Sequence, residues 1–220
     1  MFYNVVVNDW GETTYVPTTL GNAALLLLIA VLLAGAMFLA GRRSRLSVKQ
    51  LAFCAMSLAL GTILSNLKLF SFPWGGSVTL LSMLVICLPG YFFGLGAGIM
   101  TGVAYGVLQL LVDPYVLFPL QLVVDYLLAF GALGLSGLFT NAKHGLIKGY
   151  HTGVLGRYVF AVISGWIFFG TYAWEGWPAL PYSLVYNGIY IFAESVITLV
   201  ILAIPAVSKM MGNLKKTAVE

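Results

Sequence analysis

Two acidic residues, Asp125 and Glu194, lie inside long apolar stretches of the chain, where a charged side chain is costly. A carboxylate at the centre of a bilayer costs on the order of 2.5–3.5 kcal/mol on insertion scales, so it is expected to face a partner or a water-filled cavity. No Lys or Arg is predicted at matching depth in another apolar stretch. An unpaired carboxylate in a cavity favours a ligand that is cationic or rich in hydrogen-bond donors. The alternative is a hydrogen bond to a Ser, Tyr or Asn side chain of a neighbouring helix.

Polar side chains accompany both carboxylates at helical spacing. Gln121 lies one turn before Asp125 on the same predicted helix face. Asn187, Tyr190 and Glu194 are spaced i, i+3 and i+7, and so share a face of the last predicted long helix. In a membrane span such a face either lines a cavity or joins helices through hydrogen bonds.

Patterns typical of catalysis and of nucleotide binding are absent from the sequence. Both histidines, His144 and His151, are predicted to lie in a loop, and no HExxH, GxSxG or GxxxxGK[ST] pattern occurs. We therefore expect neither an enzyme nor an ATP-binding chain, and no metal or cofactor. A membrane enzyme that uses Asp125 and Glu194 as an acid–base pair is an alternative, but nothing in the sequence orients the two groups.

The composition predicts that membrane-spanning helices position these residues. Of the 220 residues, 60% are hydrophobic and 8% are charged, and the mean hydropathy is +0.97. A soluble domain carries about 25% charged residues. We therefore expect an all-α integral membrane protein that crosses the bilayer about seven times. The predicted spans are 18–39, 48–67, 79–93, 96–111, 118–139, 157–169 and 182–210.

The basic residues predict the orientation of these spans. With seven spans, ten of the eleven Lys and Arg residues fall on one side, including the loop from Lys143 to Arg157, and only Lys68 falls on the other. The positive-inside rule then places the N-terminus outside and the C-terminus in the cytoplasm of a multi-pass cell-membrane protein. Because the basic residues form short clusters between apolar stretches, the net charge of +4 does not indicate nucleic-acid binding.

Small residues in the second predicted span indicate close helix packing. Ala55 and Ala59 form a small-xxx-small pair, which lets another helix approach closely. The spacing leaves open whether that helix belongs to this chain or to a partner protein.

Two long segments carry a family resemblance. FPLQLVVDYLLAFGALGLSGLF and ISGWIFFGTYAWEGWPALPYSLVYNG resemble the thiamine-specific S-components (ThiT/YuaJ type) of energy-coupling-factor vitamin transporters, with similarity from about Leu46 to Met210. The resemblance implies a six-helix membrane core that binds thiamine near its outer face and docks on a transmembrane coupling protein with two ATPase subunits. The expected organisation is an extracellular segment 1–17, an additional transmembrane helix 18–40, the core 46–210 and a cytoplasmic tail 211–220.

The resemblance also implies which residues bind the ligand. It assigns the binding carboxylate to Asp125, a Tyr and an Asn of the last helix to Tyr182 and Asn187, and a loop Trp to Trp74. Phe169 stands where the best-known members have a stacking Trp. Ala161 stands where the family often has a His, and Trp166 is expected to compensate. The family's docking motif matches Ala55 and Ala59. The full set of expected ligand-binding residues is Trp74, Gln121, Asp125, Tyr126, Phe169, Tyr182, Asn187 and Glu194.

Thiamine fits these residue types, because it joins a cationic ring to an aminopyrimidine that carries hydrogen-bond donors. A site for it needs a carboxylate, aromatic faces and an orienting amide or hydroxyl. We interpret Trp174 and Trp177, which precede the last helix, as a lid. One alternative is an S-component for a related vitamin or precursor that contains a pyrimidine or thiazole ring. Another is a stand-alone transporter that uses Asp125 and Glu194 as a proton or cation relay.

Overall fold

The computed structural model describes residues 3–7, 13–18, 20, 46–72 and 75–220. Trp74 and almost all of the predicted first span lie outside these residues, as do Arg42, Arg43 and Arg45.

From residue 46 onward the described chain is built of helices. They are α1 Val48–Asn66, α2 Ser82–Phe93, α3 Leu95–Val112, α4, α5 Gly145–Phe168, α6 Ala179–Ala203 and α7 Pro205–Val219. Helix α4 runs through four consecutive segments, Pro119–Leu122, Val123–Leu128, Ala129–Gly131 and Ala132–Phe139. A single 3₁₀ turn, Gly170–Tyr172, follows α5. The six spans predicted for the core correspond to α1–α6, which confirms the all-α membrane fold.

Four of these helices are long and apolar enough to cross a bilayer, as judged over the described residues. They are α1, α3, the Leu120–Phe139 part of α4, and α6. Helix α2 is apolar but has 12 residues. Helix α5 has 24 residues but contains Lys148, His151 and Arg157, which lower its hydropathy.

Helix α5 begins much earlier than predicted. The sequence interpretation started this span at Arg157 and placed Lys143 to Arg157 in a loop, whereas the helix starts at Gly145. That interpretation is wrong for Arg157, which lies near the middle of the helix. A helix can contain a basic cluster at one end and still continue into the bilayer, because long cationic side chains reach towards the interface.

The last predicted span is two helices rather than one. Helix α6 ends at Ala203, and α7 starts at Pro205. Ile204 has an extended backbone (φ −66°, ψ 120°), as expected for a residue whose helical conformation is disfavoured by the proline that follows. The predicted boundary between core and tail at Met210 therefore falls inside α7. Lys215 of α7 lies with its ammonium 4.0 Å from the centre of the Tyr91 ring, so this helix packs back on the bundle.

Two β-hairpins occur where the sequence interpretation expected loops. β1 (Tyr3–Val7) pairs antiparallel with β2 (Thr13–Pro17). β3 (Lys68–Ser71) pairs antiparallel with β4 (Ser77–Thr79) between α1 and α2. Gly75 and Gly76 in the second turn have φ of 80° and 81°, a region that side chains other than glycine rarely adopt.

The helix bundle has two different ends. At the hairpin end, next to β3–β4, helices α1, α3 and α5 end and α2, α4 and α6 begin. At the opposite end, called the Gly94 end, α2 joins α3. Towards the Gly94 end the helices approach closely through glycines: a Cβ on Gly134 would lie 2.2 Å from the backbone of Gly98 and Ile99. A cavity lies at the hairpin end, where the β3–β4 hairpin and the loop between α3 and α4 complete its wall.

Candidate functional site

A cavity of about 190 Å³ lies at the hairpin end of the bundle. Its wall comes from the β3–β4 hairpin, from α3 and α4 with the loop between them, and from α5 and α6. A volume of this size exceeds that of a single water, about 30 Å³, several-fold. The space therefore suits a small organic molecule, with Lys68 and Asp113 at its exposed side.

Asp125 lies on this wall in an irregular part of α4. Residues Val123–Leu128 form a π-helical turn, a feature that occurs often at functional sites. Gly106 of α3 permits the turn to pack closely, since a Cβ at that position would lie 1.8 Å from the Tyr126 backbone oxygen. Gln121 Nε2 donates a hydrogen bond of 2.9 Å to Asp125 Oδ2. Ser164 of α5 is the second polar neighbour of this carboxylate. The carboxylate lies on the cavity wall, where a ligand can reach it.

Gln121 holds the carboxylate in place and is itself 1% exposed. Its Nε2 also donates to the backbone carbonyl oxygen of Tyr115 at 2.9 Å, and its Oε1 accepts from the backbone N–H of Leu117 at 2.7 Å. The Tyr126 hydroxyl fixes the same loop, because it accepts from the Tyr115 N–H at 2.8 Å. Both residues line the cavity and fix the loop before α4, and Gln121 also connects that loop to the carboxylate.

Aromatic side chains form another part of the wall. The rings of Phe169 and Tyr115 are stacked, with centroids 5.9 Å apart and planes at 16°. Tyr182 is 2% exposed and packs edge-on against Trp174 at 5.2 Å. Phe169, Tyr115 and Tyr182 all line the cavity, so an aromatic ligand has faces on which to stack.

The half of α6 nearer the hairpin end contributes a hydrogen-bonded chain. Tyr190 donates to Asn187 Oδ1 at 2.6 Å, and Asn187 Nδ2 donates to the Ser183 backbone oxygen at 2.9 Å. Gly165 of α5 allows this close contact, because a Cβ there would lie 2.2 Å from Ser183 Oγ. Asn187 and Tyr190 line the cavity as their spacing predicts, and their polar groups are already engaged within α6.

Glu194 differs from the expectation, because its carboxylate does not line the cavity. It is 2% exposed and accepts hydrogen bonds from Thr79 Oγ1 at 2.5 Å, Ser82 Oγ at 3.1 Å and the Met83 N–H at 3.0 Å. These groups belong to β4 and the first turn of α2. The N-cap residue of α2 is Leu81, which has no side-chain acceptor, so Glu194 caps α2 from α6. Its role in this structure is to join two elements.

Arg157, like Tyr115, is a site residue that sequence reasoning missed. It lines the cavity from α5, with its guanidinium carbon 4.6 Å from the centre of the Phe130 ring. The sequence interpretation ended the basic loop at Arg157 and so kept every cation away from the carboxylates, and it is wrong for this residue. The signal was present in the spacing, since Arg157, Ala161 and Gly165 are each four residues apart and all line the cavity.

The remaining predicted residues divide between the cavity and the surface. Ala161 lines the cavity, whereas Trp166 is 52% exposed and does not, so Trp166 cannot supply the polar contact expected of it. Trp174 and Trp177 pack on each other at 5.0 Å and lie outside the cavity wall. At the cavity mouth, Lys68 Nζ lies 2.5 Å from Asp113 Oδ2, which connects β3 to the end of α3.

The cavity offers groups suited to binding a small molecule. Along the described residues no group of three or more His, Cys, Asp or Glu side chains is placed to hold a metal ion. The wall combines a half-buried carboxylate, a guanidinium and stacked aromatic rings. This combination can orient a flat molecule that carries both positive charge and hydrogen-bond acceptors.

Comparison with known proteins identifies relatives of the chain. A sequence model of the family described as "Thiamine transporter protein (Thia_YuaJ)" matches residues 51–212. The thiamine transporter ThiT of Bacillus subtilis is 32% identical over 169 residues, which cover 70% of this chain and 87% of that protein. ThiT of Lacticaseibacillus paracasei is 31% identical over 128 residues, covering 50% of this chain and 64% of that protein.

A solved structure resembles the fold described above. The structure of ThiT from Listeria monocytogenes superimposes with a TM-score of 0.60 at 26% sequence identity, and covers 71% of this chain and 94% of that one. The family match takes in the cavity-lining helices from α1 to α6. The chain therefore belongs to the thiamine transporter protein (Thia_YuaJ) family.

Proposed function

We propose that this chain is the substrate-capture subunit of an energy-coupling-factor importer and that it binds thiamine in the hairpin-end cavity. The observation that carries the proposal is the half-buried Asp125 carboxylate, which lies on the wall of an aromatic-lined cavity. Its neighbours there, Gln121 and Ser164, are both uncharged. A thiazolium cation beside the Asp125 carboxylate forms an ion pair with it in the cavity, where neither charge is fully hydrated.

The aromatic wall supports an aromatic, cationic ligand. A cation over the face of a ring gains about 0.5–2 kcal/mol, depending on how far it is removed from water. The stacked pair of Phe169 and Tyr115 provides such a face beside Asp125. Phe169 thus supplies stacking in place of the Trp that the family resemblance implies at this position.

Relatives named for thiamine transport support the choice of ligand. A stand-alone transporter with a relay from Asp125 to Glu194 is less well supported. Glu194 accepts four hydrogen bonds and is 2% exposed, so it has no free oxygen with which to pass on a proton or cation.

The exposed face of α1, which points away from the rest of the bundle, supports docking on a membrane partner. Ala55 and Ala59 are exposed, and so are the neighbouring Leu51, Met56 and Ile63. A stripe of small residues flanked by large apolar ones allows a second helix to pack closely within the bilayer. The partner we propose is the transmembrane coupling protein, which carries two ATPase subunits. We propose that the protein lies in the cell membrane with its N-terminus outside and its C-terminus in the cytoplasm. The hairpin end and its cavity then lie on the outer side, as capture from outside requires.

Thiamine binding is tested by titrating the purified, detergent-solubilised chain with thiamine while following tryptophan fluorescence. We expect saturable binding at one site, with thiamine at least 100-fold tighter than its aminopyrimidine half or its thiazolium half alone. A folded protein that does not respond to thiamine would refute the proposal. A precursor half that binds as tightly as thiamine would assign the chain to that precursor instead.

Docking is tested by co-purification with a co-expressed coupling protein and its ATPases. We expect Ala55→Leu combined with Ala59→Leu to abolish co-purification while leaving thiamine binding unchanged. Ala203→Leu, the same change at an exposed position of α6, is the control and should co-purify normally. Normal co-purification of the double variant would rule out this face as the docking surface.

A further inference from the structure

Arg157 is a cation near the middle of a helix that the proposed function does not yet explain. Charged groups at this depth are costly and are usually paired. In the described chain Arg157 has no carboxylate within salt-bridge distance and no hydrogen-bond acceptor; the one ion pair found there is Lys68–Asp113. Its contact is with the face of the Phe130 ring, at 4.6 Å. A ring face stabilises the charge but leaves the N–H donors in the guanidinium plane unused.

The space beside Arg157 is open because the residues above it are small. Ala161 and Gly165 follow Arg157 at intervals of four along α5, and all three line the cavity. Small side chains one and two turns above the guanidinium leave a path from the cavity mouth down to it. The donors of Arg157 can therefore reach a bound ligand.

Arg157 and Asp125 lie at different depths below the hairpin end. Asp125 is six residues into α4, a rise of about 9 Å, whereas Arg157 is eleven residues before the end of α5, a rise of about 16 Å. The cavity is therefore negative nearer its mouth and positive nearer its floor. A ligand that satisfies both groups carries its cation towards the mouth and an acceptor towards the floor.

We infer that Arg157 donates a hydrogen bond to a ring nitrogen of the thiamine aminopyrimidine and thereby orients the ligand, an inference that rests on the proposed function. The pyrimidine enters first and lies at the level of Arg157 and Ala161. The thiazolium lies above it, beside Asp125 and the stacked Phe169–Tyr115 pair. Arg157 acts in this orientation as a specificity-determining residue and replaces the polar contact that Ala161 cannot make.

The test compares thiamine with two pyridine analogues, each with one pyrimidine ring nitrogen replaced by C–H. A hydrogen bond to a charged group contributes about 1.5–3 kcal/mol, or about 10- to 150-fold in affinity. We expect the unchanged protein to bind thiamine at least tenfold more tightly than one of the two analogues. Arg157→Gln is expected to bind thiamine and that analogue with equal affinity. Lys148→Gln, on the same helix but outside the cavity, should keep the full preference.

Several outcomes separate this inference from the proposed function. Failure of the unchanged protein to bind thiamine would refute the proposed function. Thiamine binding with the same preference in Arg157→Gln as in the unchanged protein would overturn the role of Arg157 alone. Both pyridine analogues could instead bind like thiamine, while the unchanged protein prefers thiamine monophosphate and Arg157→Gln loses that preference. This result would overturn the contact between Arg157 and the pyrimidine in favour of a contact with phosphate. Arg157→Lys keeps the charge and should retain part of the preference, which provides the same comparison if the glutamine variant does not fold.

Discussion

Asp125 and Glu194 are the same kind of group in the same kind of environment, yet the structure uses them differently. Asp125 accepts a hydrogen bond from Gln121 and lies on the wall of a cavity. Glu194 has both oxygens bound by β4 and α2 and is 2% exposed. A carboxylate within an apolar helix is therefore not by itself a ligand site. The number of donors that the fold supplies decides whether the group serves structure or binding.

The largest effect on binding is expected from Asp125→Asn. This change removes the charge that faces the thiazolium, whereas Asn can still accept the hydrogen bond from Gln121. We expect thiamine affinity to fall by about 10- to 150-fold, as for the loss of a hydrogen bond to a charged group. The thermal midpoint of the ligand-free protein should stay within about 2 °C. Calorimetric titration of the variant measures the affinity, and wild-type affinity would contradict the binding role.

Glu194→Gln should have the opposite pattern. The amide keeps one acceptor but turns an NH₂ group towards the donors of β4 and α2. We expect a loss of about 1–3 kcal/mol in folding free energy, which lowers the thermal midpoint by about 2–12 °C. Thiamine affinity should change by less than about threefold. Scanning fluorimetry in detergent checks the midpoint; an unaltered midpoint with weakened binding would instead make Glu194 a ligand residue.

Gln121→Met is expected to have an intermediate effect that sharpens the account of Asp125. It removes the donor to Oδ2 while leaving the carboxylate itself. We expect a two- to tenfold loss of affinity, since an ordinary hydrogen bond contributes about 0.5–1.5 kcal/mol. Combining it with Asp125→Asn should add little further loss, because both changes act on one group. Fully additive losses in the double variant would show that Gln121 acts on the ligand independently.

The smallest effect is expected from Lys68→Met at the cavity mouth. Lys68 and Asp113 are 37% and 61% exposed, so their ion pair contributes about 1 kcal/mol or less. We expect the thiamine dissociation rate to rise by less than about fivefold, with the difference vanishing at high salt. Stopped-flow fluorescence measures this rate. A much larger rise that persists at high salt would give the pair a role beyond that of a surface contact.

Much of the architecture follows from local features of the sequence. Apolar runs of bilayer length predict α1, α3, α4 and α6, and charge placement and glycine or proline signals mark most of their ends. Pro205 is such a signal, although the predicted span ran through it to Met210. The depth of Asp125 and the shared face of Asn187 and Tyr190 also follow from helical spacing.

What could not be predicted depends on contacts between distant parts of the chain. Glu194 is 111 or more residues from the groups that bind it, so its helix alone does not distinguish a cap from a ligand site. Tyr115 lies in a loop whose position depends on Gln121 and Tyr126. Arg157 was assigned to a loop because neighbouring basic residues at the start of α5 resemble a cytoplasmic cluster. Arg157, Ala161 and Gly165 are each four residues apart, and this helical spacing places Arg157 on the cavity face.

Thermal unfolding of three proteins, each with and without saturating thiamine, tests the central claim most directly. A ligand that binds only the folded state stabilises it by RT ln(1 + [L]/Kd), so at one fixed thiamine concentration the rise in midpoint grows with the logarithm of the affinity. We expect the unchanged protein and Glu194→Gln to show a similar rise, the latter from a lower starting midpoint. Asp125→Asn should start near the unchanged protein and lose most of the rise. A full rise in Asp125→Asn, or its loss in Glu194→Gln, would contradict the division of roles between the two carboxylates.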